Sequence, residues 1–84
     1  MNPIKQLFSD LSDEELILMI NEIKGWNVTG ILPDNSNVRE LCRESAKITN
    51  MDVSSNLLMV QINILKEGAY RWLDYRNILE KGHI

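Results

Sequence analysis

From Ser54 to Leu79 the chain reads SSNLLMVQINILKEGAYRWLDYRNIL, a proline-free run that holds both tyrosines and one of the two tryptophans. This third of the protein must supply much of its core. Leu58, Ile62, Leu65, Ala69 and Trp72 recur in alternating steps of four and three, with Leu57, Ile64, Leu73 and Leu79 widening the stripe, which predicts a long central helix with that stripe turned inward. Gly68 costs about 1 kcal/mol in a helix interior relative to alanine. Beside Ala69, it either admits a close helix approach or marks a break. Val60–Ile64 also alternates as a half-buried strand would. Helix is preferred because capping and flanking residues agree with it; the alternative is an α+β, winged-helix-like fold with a strand near 58–65.

The preceding residues also read as helices. Asn2-Pro3 can open a short one, with Asn2 as cap and Pro3 at the first helical position. Ser12-Asp13-Glu14-Glu15 is a capping box. It opens a helix expected to reach Lys24 and to end at a left-handed Gly25. Residues 25–36 (GWNVTGILPDNS) then form a connection rich in turn formers. Its apolar groups, Trp26, Val28, Ile31 and Leu32, either cover the core or face a partner. Ser36 or Asn37 can cap a third helix, with Val38, Leu41, Cys42, Ser45 and Ile48 inside and charged residues outside. Asp52, Ser54 or Ser55 caps the last. The fold class expected is therefore all-α, one domain of 84 residues, a bundle of three or four helices.

Charge narrows the partners. Residues 1–42 carry three basic groups against seven acids, and residues 43–84 six against five, for a net charge of −3. Phosphate binders usually show a basic excess, so nucleic acid is not expected. The acidic first half favours a partner with a basic surface, although acids also belong at a helix start. No apolar run approaches the ~20 residues of a membrane span. The N-terminus lacks the layout of a secretion signal, and the single cysteine, Cys42, permits no internal disulfide. A cytoplasmic protein is expected.

Catalytic machinery is hard to assemble from these residues. A nucleophile needs an oriented base, yet the one histidine, His83, is next to last, and Cys42 falls on an inner helical stripe. Zinc needs about four Cys or His ligands. The acids at 10, 13, 14 and 15 lack the spacing and central glycine of a calcium loop, and no glycine-rich phosphate loop occurs. Neither enzyme activity nor a cofactor is expected.

Two resemblances carry further expectations. Ala46-Lys47-Ile48-Thr49-Asn50, Val53-Ser54-Ser55 and the exit Ile64–Tyr70 resemble a winged helix-turn-helix, which implies DNA reading by the second helix; here residues 52–65 contain no Lys or Arg. Asn21-Glu22-Ile23, Asn35-Ser36 and Glu67–Leu73 are similar to stretches of small phage anti-sigma factors, all-helical proteins that bind a sigma subunit.

The function expected is a small regulatory or inhibitory protein that acts by covering a partner protein's surface. Trp26, Ile31 and Leu32 in the connection, with Arg71, Tyr75 and Arg76 on the last helix, are the candidate contacts, since Trp, Tyr and Arg dominate binding hot spots. The alternatives are a DNA-binding winged-helix regulator and a homo-oligomerisation module. Leu57, Met59 and Val60 add more apolar surface than one helix side uses, which leaves room for a homodimer.

Overall fold

A computed structural model describes residues 2–81. Four helices follow one another: α1 (Pro3–Ser9), α2 (Asp13–Thr29), α3 (Asn37–Thr49) and α4 (Val53–Lys81). Among the described residues there is no strand, and residues 58–65 lie inside α4. The strand alternative, and the winged-helix architecture with it, is thereby replaced by an all-α bundle.

The local signals that open each helix act as the sequence predicts. Asn2 Oδ1 accepts from the N–H groups of Ile4 and Lys5 at the start of α1. At α2 the capping box is complete: Ser12 Oγ accepts from Glu15 N–H, and the Glu15 carboxylate accepts from Ser12 N–H at 2.9 Å. These bonds hold the Glu15 carboxyl below its usual range. Ser36 caps α3 through Arg39 N–H, and Asp52 Oδ2 accepts from Ser55 N–H at the start of α4.

One ending differs. Helix α2 passes Gly25 and stops at Gly30, whose φ of 76° provides the left-handed cap; its N–H donates to the Trp26 carbonyl at 2.7 Å. The Thr29 hydroxyl, bonded to the Gly25 carbonyl, accepts from Ile31 N–H and steers the chain out. With Trp26 packed against the core from inside the helix, the extra turn is held by tertiary contact that no local signal reports.

The core gathers Phe8 from α1; Leu16, Met19 and Ile23 from α2; Leu32 from the connection; Val38, Leu41 and Cys42 from α3; and Val60 and Ile64 from α4. Helix α4 packs against the other three. A buried polar bridge joins it to α3: Ser45 Oγ donates to Asn56 Oδ1 at 2.7 Å, and Asn56 Nδ2 donates to the Cys42 carbonyl at 2.8 Å. At Gly68 the helix continues unbroken, and a Cβ there would meet Ile20 Cδ1 at 2.8 Å. Of the two roles open to this glycine, close helix approach is the one it plays.

The inward stripe of α4 is the main correction. Val60 and Ile64 are fully buried, whereas Leu58, Ile62, Leu65 and Trp72 are exposed. The heptad-spaced stripe therefore faces solvent, and the core is met by a shorter row of Asn56, Val60 and Ile64, continued by the half-buried Gly68. Ile48, expected inside α3, is also exposed, while the other four members of that stripe are buried.

Truncating a core residue should cost far more than truncating the outer stripe. Ile64→Ala is expected to lose about 3 kcal/mol, and Leu58→Ala to stay within about 0.5 kcal/mol. Denaturant unfolding of dilute protein measures both, and a larger loss for Leu58→Ala would invert this packing assignment.

Candidate protein-binding surface

The residues singled out for contact meet different fates. Leu32 is buried in the core, with its carbonyl held by Arg39 Nε at 2.9 Å; as a contact residue it is withdrawn. Trp26 is half-buried on α2, and Ile31 beside it is exposed; both line a shallow cleft with Thr29 and Pro33. Tyr75 is exposed near the end of α4. Arg76 lies over the Trp72 ring, 5.6 Å from its centroid, a cation–π contact.

Arg71 is engaged within the fold. Its Nη1 pairs with Asp13 at 2.9 Å and its Nε with Glu67 at 3.0 Å. Its Nη2 donates to the Leu11 carbonyl at 2.7 Å and lies within bonding range of the Phe8 and Ser9 carbonyls. A cation at the carbonyl end of α1 suits both the acceptors there and the helix dipole. Arg71 thus pins the α1–α2 corner to α4, and its assignment as a contact residue is corrected to a structural one. Trp72, expected in the core, stands outside it.

The predicted residues do not form one patch. Asp13 touches Arg71, and Trp26 lies thirteen residues further along α2, a rise of roughly 20 Å. The Trp26–Ile31 cleft and the Trp72–Arg76 end of α4 therefore occupy opposite ends of α2.

What the fold does assemble is the outer face of α4. Leu58, Ile62, Leu65, Trp72 and Leu79 are all exposed along it, at 41–59% of their full area. Beyond Arg71, every residue from Trp72 to Leu79 is exposed, Leu73, Tyr75 and Ile78 included. Helix α4 runs 29 residues, about 43 Å, while its buried row ends at Ile64. Its last turns pass beyond the bundle with large apolar groups on every side, a pattern otherwise found in helices buried all round. Exposed Asp13 meets α4 through its pair with Arg71.

Leu57, Met59 and Val60, expected to serve self-association, face the bundle: Val60 is fully buried and the other two are half-buried against the core. The 4–3 spacing of Leu58–Trp72 was legible in the sequence; its outward direction was not.

No catalytic cluster accompanies this surface among the described residues. Cys42 is buried in a small cavity of about 240 Å³ beneath Arg39 and Arg43. Burial pushes its thiol pKa up, against the pull of the two guanidinium groups, so the thiol is protonated near neutral pH. His83, weighed as its base, lies outside the described residues. No group of three or more His, Cys, Asp or Glu among the described residues could hold a metal ion. No described helix is long and apolar enough to cross a membrane.

Substituting Arg71→Met should destabilise the fold by about 2 kcal/mol, the scale of lost charged hydrogen bonds, and lower Tm by roughly 10 °C. Tyr75→Ala should leave Tm nearly unchanged, and thermal denaturation followed by circular dichroism separates the two. Native Cys42 should react slowly with an aromatic disulfide reagent and speed up sharply in denaturant. Rapid reaction in native buffer would contradict its burial.

No family model, curated protein or solved structure matches this chain. The functional reading therefore rests on the geometry of this molecule.

Proposed function

We propose that this protein is a small cytoplasmic regulatory or inhibitory protein that works by binding another protein and covering part of its surface, and not by catalysis. The outer face of α4, from Leu58 to Leu79, is the binding surface in this reading. One observation carries it: Leu58, Ile62, Leu65, Trp72 and Leu79 are turned to solvent on the side of the helix away from its core contacts. Contiguous exposed apolar surface marks interaction sites in proteins of this kind. The helix is preformed and held by Arg71, so little ordering entropy is lost on binding.

The partner that fits is one with an apolar groove for the Trp72–Leu79 end, and the acidic first half of the chain favours a basic surface on it. Occlusion is the mechanism: a rigid apolar helix seated in a working groove excludes that groove's usual occupant. Trp72 is the anchor, because a large aromatic at the centre of such a face concentrates binding energy.

Leu65→Glu places a charge in the middle of the face without touching the core. A cell extract passed over wild-type protein should leave a specific protein, other than this chain, that Leu65→Glu bait of equal helicity does not retain. The identified partner, once purified, should lose activity when the wild type is added. Equal capture by the two baits, or a captured partner whose activity is unaffected, would refute the reading.

A further inference from the structure

The period of the exposed row says what shape covers it. Residues 58, 62, 65, 69, 72, 76 and 79 follow steps of four and three without a break, the 3.5-residue repeat of a coiled-coil seam. Against the 3.6-residue turn of a straight helix, a seam of this period drifts slowly around the axis and suits a partner helix wound with it in a left-handed supercoil. A globular groove requires no such regularity. Residues 60, 64 and 71, which face the bundle, lie on the opposite side of the helix. Helix α4 is thus a two-sided element, with one side spent on the fold and the other patterned for a second helix.

We infer that the second helix is α4 of another copy of this chain, running antiparallel, with Ala69 of each copy receiving Trp72 of the other. This rests on the reading that the outer face of α4 is the binding surface, and it names that surface's resting occupant. In a parallel, in-register pair every residue would meet itself, so two bulky tryptophans would collide, two alanines would leave a gap, and Arg76 would oppose Arg76. Antiparallel packing sets the two core positions of the heptad against each other. A two-fold axis between residues 70 and 71 then places Ala69 opposite Trp72, Leu65 opposite Arg76 and Ile62 opposite Leu79. Small meets large at the centre, and the arginines are separated.

Area agrees with this assignment. Ile62, Leu65, Trp72, Leu73 and Leu79 together expose on the order of 500 Å² per chain. With a flanking polar rim, that approaches the ~800 Å² per partner of a standard stable interface.

Light scattering coupled to size exclusion, from roughly 10 µM to roughly 500 µM, should give twice the 9.7 kDa chain mass at the upper end. Leu65→Glu and, separately, Ile62→Glu should give the single-chain mass throughout with unchanged helicity. A wild type that stays at the single-chain mass, or a dimer that survives both substitutions, overturns the inference. Orientation is read from a spin label on Ser55→Cys in a Cys42→Ala background. Antiparallel pairing separates the labels by on the order of 45 Å, whereas a distance under about 20 Å would indicate parallel helices and overturn it. This experiment needs no partner protein, so a monomeric wild type removes the dimer and leaves the occlusion reading to its own test.

Discussion

The guanidinium of Arg71 holds together the parts of this protein that the core alone does not join. Helix α1 is only seven residues long, and of the carbonyls at its end Phe8 accepts from Leu11 N–H at 3.3 Å. Arg71 reaches across from α4 to those carbonyls while pairing with Asp13 at the start of α2 and with Glu67 one turn back on α4. One planar cation with a fixed fork of donors can serve so many acceptors because its geometry is preset. The corner between α1 and α2, the direction in which α4 leaves the bundle, and the place where the helix loses its last tertiary contact all follow from it.

A long-range anion plays the matching part at the other end. The Glu22 carboxylate, on α2, accepts from the N–H groups of Asn37 and Val38 at 2.9 and 3.0 Å. It supplements Ser36 in capping α3 and suits the positive end of that helix's dipole. Arg71 and Glu22 thus work the same way at opposite ends: a charged side chain from one helix satisfies the unpaired backbone of another. Leu32 is drawn into the core while Ile31 beside it stays exposed, and α4 keeps an exposed apolar row along its outer side.

The capping signals at Asn2, Ser12, Ser36 and Asp52 were legible because a cap is made within three residues and needs no distant partner. The inner stripe of α3 was legible as well, apart from Ile48, because charged residues occupy the opposite face and leave one solution. Helix α4 was not, since both of its faces are apolar: the regular row at Leu58, Ile62 and Leu65 outweighs the shorter one at Val60 and Ile64 in any count of periodicity. Which row is buried depends on where α2 and α3 present Ile23 and Val38. Gly25 misled for a related reason, because a glycine can end a helix but must do so only where packing lets the chain turn.

The linear order of residues by itself settled the helical class and the places at which the helices begin. These depend on composition and on contacts between near neighbours. The folded arrangement alone decided which side of α4 meets water, that Arg71 belongs to the scaffold, and that Trp72 stands outside the core. Each of those turns on groups tens of residues apart, and a helix with two apolar faces carries no local instruction for choosing between them.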